Sequence, residues 1–308
     1  MKIIDLHCDT ISAIYGRSES LFNNTGHFDL ERAIKTGIKI QFMALFVGPI
    51  ESSIALESIK QQIKFYQNEI DRNKDILYPI RTTVDLHAQL EDNAMGSILH
   101  LEGGEALGND MGVLYSLYES GLRSMGLTWN NGNLLAQGIG EGPEAAGLSS
   151  WGREVVQEME RMGIILDGAH ISVKGFFDLL EVYSQPLIVT HANARALCRH
   201  PRNLTDQQLI SLKENGGIVG VNQVSDFVKD HDPAIDDLID HIVYISDLIG
   251  IQHVALGSDF DGADHVVMSG IQEYQAWPEL LKNRGFNANE VDMILYKNAL
   301  RTITQVLG

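Results

Sequence analysis

Residues 163–170 read Gly-Ile-Ile-Leu-Asp-Gly-Ala-His, a short apolar run that breaks into small residues and ends in a histidine. This continuous hydrophobicity predicts a buried strand of a parallel sheet rather than an amphipathic helix. A helical pattern follows at 173–183, and residues 186–191, Pro-Leu-Ile-Val-Thr-His, form a second apolar run that ends in a histidine. Because parallel strands place their carboxyl ends side by side, this strand-helix-strand unit predicts that His170 and His191 face one shared mouth.

Apolar runs of the same kind recur along the chain and predict eight strands, with helices or long loops between them. The strands are predicted at residues 2–10, 38–47, 97–104, 122–129, 163–170, 186–191, 217–223 and 253–262. The helices are predicted at residues 55–72, 111–121, 150–162, 173–183, 206–215, 234–249 and 289–306. Since no linker or repeat interrupts this order, residues 1–308 are predicted to form a single α/β domain, a (β/α)8 barrel of the TIM type.

The composition is ordinary for a globular enzyme, with 44% hydrophobic and 21% charged residues. The net charge of −18 argues against nucleic acid or an anionic membrane as a partner, because both would be repelled. Two cysteines, Cys8 and Cys198, are too few for a disulfide framework and favour a reducing compartment. The amino-terminal residues lack the apolar core of a signal peptide, and no apolar run could span a bilayer. A cytoplasmic location is therefore expected.

Polar side chains fall at the ends of the predicted strands, where a barrel of this type places its active site. His7 and Asp9 end the first strand, and their spacing of two puts both side chains on one face. At the third strand His100 and Glu102 share a face, and Glu102 is favoured because it adjoins a glycine turn. Asp259 belongs to a carboxylate pair that ends the eighth strand. The residues expected at the mouth are His7, Asp9, Glu102, His170, His191 and Asp259.

The residues expected at the mouth have the chemistry of a metal centre. Three imidazoles and two or three carboxylates suit zinc, and they are too many for one tetrahedral ion. Two ions that share a bridging carboxylate fit this number of ligands, and such ions lie about 3.5 to 4 Å apart around a shared hydroxide. Asp259, left over once the ligands are counted, suits the transfer of a proton to the leaving amine.

The segment after the sixth strand is rich in cations for so acidic a protein. Arg195, Arg199 and Arg202 occur where a substrate carboxylate could be bound by a bidentate guanidinium group. The alternative is that these arginines neutralise acidic side chains nearby.

Several motifs occur in order over nearly the whole chain and together carry a family resemblance. They are His7-x-Asp9, His100-Leu-Glu102-Gly-Gly, Gly147-Leu-Ser149-x-x-Gly152, Asp167-x-x-His170-x-Ser172, Thr190-His191, Arg202-Asn203-Leu204 and Gly257-x-Asp259-Phe260-Asp261-Gly262. With them the chain resembles the renal dipeptidase, or membrane dipeptidase, family of zinc peptidases, peptidase family M19. The resemblance implies that a hydroxide bridging two zinc ions hydrolyses dipeptides, with tolerance of a D-residue at the C-terminal position.

The same resemblance implies a role for each expected metal ligand. His7 and Asp9 would bind one zinc ion, and His170 and His191 would bind the other. Glu102 would bridge the two ions through its carboxylate.

Two further residues resemble functional residues of the family. Asp259 resembles the residue that acts as acid and base, and Arg202 resembles the arginine that binds the C-terminal carboxylate of a dipeptide. Mammalian members are anchored to lipid outside the cell, but only their chemistry is carried over to this chain. Since relatives are often dimers, a homodimer is a further expectation, and the expected partner in solution is a small dipeptide substrate.

The chain departs from the family at two places. Where mammalian members carry a histidine that contacts the substrate carbonyl, this chain has Trp129, which donates only through its indole N–H. Stabilisation of the oxyanion could pass to zinc or to Asn130, Asn131 or Asn133, and Trp129 and Asn130 are the expected substrate contacts. The seventh strand ends in Gln223-Val224 where relatives usually show aromatic residues, so substrate preference is expected to differ.

The motifs allow two alternatives to a dipeptidase. The first is another metal-dependent amidohydrolase, which would act on a cyclic amide, a lactone or an N-acyl amino acid in the same barrel. Such enzymes commonly begin with His-x-His, whereas this chain begins with His7-x-Asp9, which favours the dipeptidase. The second is a binding protein with weak catalysis, which Trp129 would support but the full set of ligands and Asp259 opposes.

Overall fold

The computed structural model describes residues 1–92 and 94–308 of the chain. Within them nine strands form one sheet, and eight of these strands close into a parallel barrel. The strands are β1 (Ile3–Cys8), β2 (Ile38–Phe46), β3 (Leu77–Pro79), β4 (Met95–Glu102), β5 (Leu122–Gly126), β6 (Ile165–Asp167), β7 (Ile188–Val189), β8 (Ile218–Val221) and β9 (Val254–Leu256).

The barrel closes where β2 pairs with β4, in a register that places Phe46 beside Glu102. From β4 the strands run in chain order to β9, which pairs with β1 and completes the ring. The eight predicted strands are these barrel strands, so the predicted (β/α)8 barrel is confirmed. The additional strand β3 pairs with the amino-terminal end of β4. It was not predicted, because three residues that end in a proline carry too little periodic signal.

Helices connect the strands, and each predicted helix is present close to its predicted bounds. Helix α6, for example, begins where the side chain of Ser149 accepts a hydrogen bond from the backbone N–H of Gly152. A π-helical turn, Met293–Lys297, joins the last two helices. The helices are α1 (Thr10–Arg17), α2 (Leu30–Ala33), α3 (Ser52–Arg72), α4 (Thr83–Glu91), α5 (Met111–Glu119), α6 (Ser150–Met162), α7 (Val173–Val182), α8 (Asp206–Asn215), α9 (Ser225–Val228), α10 (Ile235–Ile249), α11 (Trp277–Asn283), α12 (Ala288–Asp292) and α13 (Asn298–Leu307).

The interior of the barrel is filled in layers. The layer at the amino-terminal end is apolar, and α13 packs against it and against β1, β6, β8 and β9. Residues two apart on a strand share a face. The inward positions two residues after Ile98, Ile165 and Ile188 are therefore the next layer, and they are the buried polar residues His100, Asp167 and Thr190. The layer above them contains Glu102 at the end of β4. The apolar layer includes Ile4, Leu6, Ile40, Phe42, Ile98, Ile165, Ile188, Ile218 and Ala255.

Two glycines allow β7, β8 and β9 to approach one another just below the mouth. A Cβ atom on Gly257 would lie 1.8 Å from the carbonyl oxygen of Thr190, and one on Gly220 would lie 2.1 Å from the same oxygen. Real Cβ atoms do not come this close to backbone oxygen, so only glycine fits at either position. This close packing explains the glycine of the Gly257-x-Asp259 motif.

The described residues contain neither a membrane-spanning helix nor a disulfide bond. Among the described residues, none of the helices combines the length and the hydropathy that crossing a bilayer requires. Cys8 lies in β1, Cys198 lies in the segment after β7, and both are buried free thiols.

Candidate metal centre

Three histidines and one carboxylate converge at the carboxyl end of the barrel. Glu102 is the last residue of β4, and its Oε1 lies 2.8 Å from Nε2 of His170. The same oxygen lies 3.6 Å from Nε2 of His191 and 3.8 Å from Nε2 of His7. His7 belongs to β1, whereas His170 and His191 follow β6 and β7 by a few residues. The predicted convergence of four residues from four strands is therefore present.

Asp9 joins this cluster from just beyond its strand. The prediction placed Asp9 within the first strand, but β1 ends at Cys8 and Asp9 precedes the first turn of α1. Its Oδ2 nevertheless lies 3.2 Å from Nε2 of His7. Gly262 makes room for it, because a Cβ atom there would lie 2.4 Å from Oδ2 of Asp9 and 2.3 Å from Oδ1 of Asp259.

The donor set fits a transition-metal centre. In one group the ligand atoms of His7, Asp9 and Glu102 lie within 4.8 Å of one another, and in another group those of Glu102, His170 and His191 do so. Nε2 of His170 is only 2.8 Å from Nε2 of His191, so two imidazole nitrogens point at a common space. Imidazole nitrogens combined with carboxylate oxygens are ligands that zinc and similar divalent ions take. Glu102 belongs to both groups.

Burial and charge shift the pKa values of these side chains in opposite directions. Burial lowers the pKa of His170 and of His191 well below the usual range of histidine. Burial acts on His7 in the same sense, but the carboxylates of Asp9 and Glu102 raise the pKa of His7 to about 10. Burial, together with Asp9, raises the pKa of Glu102 well above its ordinary value. Since only a neutral imidazole offers a lone pair to a metal, the lowered pKa values of His170 and His191 favour metal binding, whereas His7 would have to release a proton.

A hydrogen-bonded chain below the mouth fixes the orientation of His191. The hydroxyl of Thr190 donates to Oδ2 of Asp167 at 2.6 Å and lies 2.8 Å from Nδ1 of His191. Because the only hydroxyl hydrogen goes to Asp167, Nδ1 of His191 must donate to Thr190, and its Nε2 is left with a lone pair. Oδ1 of Asn130, 2.9 Å from Nδ1 of His170, can fix the tautomer of that histidine in the same way.

We expect Thr190→Val to lower the affinity for metal by about 10- to 100-fold, the usual cost of losing a group that orients a ligand. Valine keeps the shape of threonine but leaves Nδ1 of His191 and Oδ2 of Asp167 without their partner. The affinity is measured by competition with a chromogenic chelator on the metal-free protein.

Thr128→Val is the matched control for this variant. The hydroxyl of Thr128 is buried and has no hydrogen-bond partner in the described part of the chain, so its loss should leave metal affinity unchanged. Thr190→Ser should restore the affinity. Native metal affinity in Thr190→Val would show that the hydroxyl does not orient His191.

These supporting residues were missed by the sequence analysis. In the sequence Asp167 and Thr190 are only parts of motifs, and His100 is only the alternative to Glu102. His100 lies one layer below Glu102, where its Nδ1 is 2.9 Å from the hydroxyl of Ser124 and its Nε2 is 3.5 Å from Asp167. Their positions, one to three residues before a residue of the mouth, are the signal that could have identified them.

Asp259 lies beside the donor cluster, three residues beyond the end of β9. Its Oδ2 accepts a hydrogen bond from Nδ2 of Asn222 at 2.8 Å and lies 3.9 Å from Nε2 of His191. Its backbone φ of 62° is in the left-handed region, as are those of His170 (63°) and Asp261 (66°). Such conformations are uncommon outside glycine and tend to occur at functional sites.

A cleft of about 450 Å³ lies above the cluster, and Asp9, Glu102, His170 and Asp259 all line it. Trp129 lines it too, with its ring 5.4 Å from that of Phe46 and 5.9 Å from that of His170.

The three asparagines that the sequence offers for stabilising the oxyanion lie in different positions. Asn130 lines the cleft, whereas Asn131 is exposed. Asn133 donates to the carbonyl oxygen of Leu127 at 2.8 Å and to the carboxylate of Glu105 at 3.2 Å, which fixes a turn outside the cleft.

Arg202 is buried next to the cluster. One of its terminal nitrogens donates to the carbonyl oxygen of His191 at 3.1 Å, and its guanidinium carbon lies 5.7 Å from the ring centre of Phe227. Within the described residues its Nε has no hydrogen-bond partner. A buried N–H without a partner is costly, so this arginine is suited to receive an anionic group.

Comparison with protein families gives one match over the whole chain. The family model of membrane dipeptidases, peptidase family M19, matches residues 1–307. Dipeptidase aclJ of Aspergillus oryzae is 33% identical over 297 residues, which cover 91% of this chain and 70% of that protein. An uncharacterised protein in the pqqA 5' region of Klebsiella pneumoniae is 30% identical over 264 residues, which cover 82% of this chain and 97% of that protein.

Solved structures of two metallopeptidases share the fold over essentially their full length. The crystal structure of dipeptidase AC, a metallopeptidase of family M19, superposes with a TM-score of 0.94 at 26% identity and covers 100% of this chain and 99% of its own. A metallopeptidase from Rhodobacter sphaeroides, liganded with a phosphinate mimic of the dipeptide L-Ala-D-Ala, gives a TM-score of 0.94 at 25% identity and covers 99% of each chain.

Proposed function

The chain belongs to the membrane dipeptidase family, peptidase family M19, and we propose that it is a dipeptidase with two zinc ions at the mouth of its barrel. Membership of this family makes it a metal-dependent hydrolase of dipeptides. His7 and Asp9 would hold one ion, and His170 and His191 would hold the other. The observation that carries the proposal is the position of Glu102, whose carboxylate belongs to both donor groups and can serve two ions at once.

Catalysis is proposed to divide between the ions and Asp259. When bound, zinc supplies the Lewis acidity that makes water nucleophilic near neutral pH and polarises the scissile carbonyl. Asp259 takes the proton from the attacking water and delivers it to the amine that leaves. Its placement supports this role, because it lines the cleft beside His191 and Asn222 holds its Oδ2 in position.

The charges around the cleft support one orientation of the substrate. A dipeptide carries an ammonium group at one end and a carboxylate at the other. Asp261, which has neither of the roles proposed for Asp9 and Asp259, lines the cleft and can attract the ammonium group. Arg202, whose buried Nε has no hydrogen-bond partner among residues 1–92 and 94–308, can bind the carboxylate. A lactone or a cyclic amide need not carry both an ammonium group and a carboxylate, so a site with an anionic and a cationic side favours a dipeptide over those substrates.

Tolerance of a D-residue at the C-terminal position is part of the proposal. The Rhodobacter sphaeroides metallopeptidase, which shares this fold, was crystallised with a mimic of L-Ala-D-Ala. If the protein hydrolyses L-Ala-L-Ala but not L-Ala-D-Ala, tolerance of a D-residue is refuted and the dipeptidase function is not.

Arg202→Met is expected to raise the KM for free dipeptides by about 10- to 100-fold, as for the loss of a hydrogen-bonded charge. Methionine keeps much of the volume of the side chain but cannot bind a carboxylate. KM and kcat are measured for L-Ala-D-Ala and for its C-terminal amide, which lacks the carboxylate and should be affected little.

Metal content is measured on the same sample, since Arg202 also contacts the backbone of His191. If KM rises equally for the free and the amidated dipeptide while the metal content is unchanged, Arg202 does not bind the carboxylate.

A further inference from the structure

A second cavity of about 610 Å³ adjoins the catalytic cleft. It lies between the loop at residues 139–143 and the segment at residues 195–205, and Asn130 lines both it and the cleft. Arg202, the proposed site of the substrate carboxylate, also lines this second cavity. A substrate bound through Arg202 therefore has the second cavity within reach of its C-terminal residue.

The charge of the second cavity is opposite to that of the protein. The chain has 41 acidic residues against 23 lysines and arginines, yet Arg195, Arg199 and Arg202 all line this cavity. Among the described residues, its lining includes no aspartate or glutamate. Its opposite wall is apolar, with Ile139 and Pro143.

The sequence left open that these arginines neutralise acidic neighbours, and this holds only for Arg202, which faces the buried carboxylates of Glu102, Asp167 and Asp259. Arg195 donates from Nε to the carbonyl oxygen of Asn203 at 2.9 Å and from a terminal nitrogen to that of Pro201. Arg199 is exposed. None of the three arginines forms an ion pair with a carboxylate in residues 1–92 or 94–308. Within the described residues, the guanidinium groups of Arg195 and Arg199 therefore have no carboxylate partner, and in so acidic a protein they point to an anionic ligand.

We infer that the second cavity receives the side chain of the C-terminal residue and selects an acidic one, aspartate or glutamate. The apolar wall contacts the methylene groups, and the arginines face the carboxylate. This inference rests on the proposed dipeptidase function and specifies its substrate class. A dipeptide with an acidic C-terminal residue carries a second negative charge, which the overall charge of −18 would repel without these local cations.

The test compares kcat/KM for L-Ala-D-Glu and L-Ala-D-Gln, which have nearly the same shape and differ in one charge. The unmodified protein is expected to prefer L-Ala-D-Glu by about 10-fold, as for a hydrogen-bonded charge. Arg199→Met should remove most of this preference by lowering the value for L-Ala-D-Glu alone. Arg199 is exposed, so folding and metal content should be unchanged.

Arg161→Met is the matched control. Arg161 is an exposed arginine of α6 that pairs with Glu158, so this variant removes the same charge away from the cavity. It should change the values for both dipeptides equally.

The outcomes separate this inference from the proposed function. Equal hydrolysis of L-Ala-D-Glu and L-Ala-D-Gln by the unmodified protein overturns the inference. A preference for L-Ala-D-Glu that is unchanged in both Arg199→Met and the double variant Arg195→Met/Arg199→Met also overturns it. Hydrolysis of L-Ala-D-Ala but of neither test dipeptide also overturns it. If neither these three dipeptides nor L-Ala-L-Ala is hydrolysed, the proposed function itself fails.

Discussion

Asp259→Asn is expected to keep its fold and its metal but to lose dipeptide hydrolysis by about 100- to 10,000-fold, the usual contribution of a general acid and base. Asparagine has the shape of aspartate, but its amide cannot take up and return a proton. It also tolerates the left-handed backbone at this position, where φ is 62°. Its amide oxygen can still accept the hydrogen bond from Asn222.

The measurement is kcat for L-Ala-D-Ala, with metal content and circular dichroism determined on the same sample. Asp264→Asn is the control, because Asp264 is an exposed carboxylate of the loop that follows Asp259. This variant should behave like the unmodified protein. A nearly normal rate in Asp259→Asn would remove Asp259 from the acid and base role.

Glu102→Gln is expected to lose metal and, with it, at least about 1,000-fold of the hydrolytic activity, since the ions supply the nucleophile. One carboxylate oxygen of Glu102 lies within 3.8 Å of Nε2 of His7, His170 and His191. Glutamine is neutral, and its amide nitrogen has no lone pair for a metal ion. Both ions should be released at lower chelator concentration, because both donor groups include this residue.

Glu105→Gln is the matched control for this variant. Glu105 is a buried glutamate three residues further along the chain, and it contacts Asn133 rather than the donor cluster. Metal content should be unchanged in Glu105→Gln. If Glu102→Gln binds two ions with native affinity, Glu102 does not bridge them.

The barrel and the donor cluster could be predicted from the sequence for one physical reason. Strands buried on both faces are short apolar runs, and their ends are marked by the first polar residues. In a parallel barrel all these ends lie on one face, so His7, His170 and His191 come together although they are distant in sequence. The contacts of Glu102 could be anticipated from its place before a glycine turn, whereas its distances to the histidines required the structure.

The hydrogen-bonded supports of the cluster could not be predicted in the same way. A buried threonine or aspartate within a strand has the same sequence pattern whether it orients a metal ligand or only satisfies a neighbour. Thr190 is distinguished by its contact with His191, and Asp167 by the hydrogen bond that it accepts from Thr190. Both contacts depend on the register of β6 and β7.

The second cavity could not be predicted from the sequence either, although the sequence shows that the segment at residues 195–202 is rich in arginine. It forms between two segments that lie more than fifty residues apart in the chain, at 139–143 and 195–205. Whether Arg195 and Arg199 pair with acidic residues depends on the neighbours that folding brings to them. Arg195 contacts backbone oxygens, and within the part of the chain that the structure describes its charge has no counter-ion.

The central claim is that this chain is a dipeptidase with two zinc ions, and one measurement on one sample tests it directly. Metal content is determined together with the turnover of L-Ala-D-Ala, L-Ala-L-Ala and N-acetyl-L-Ala-D-Ala. We expect two zinc ions per chain, hydrolysis of both free dipeptides, and little hydrolysis of the acetylated one, which lacks the ammonium group. Two zinc ions per chain without hydrolysis of either free dipeptide would contradict the claim.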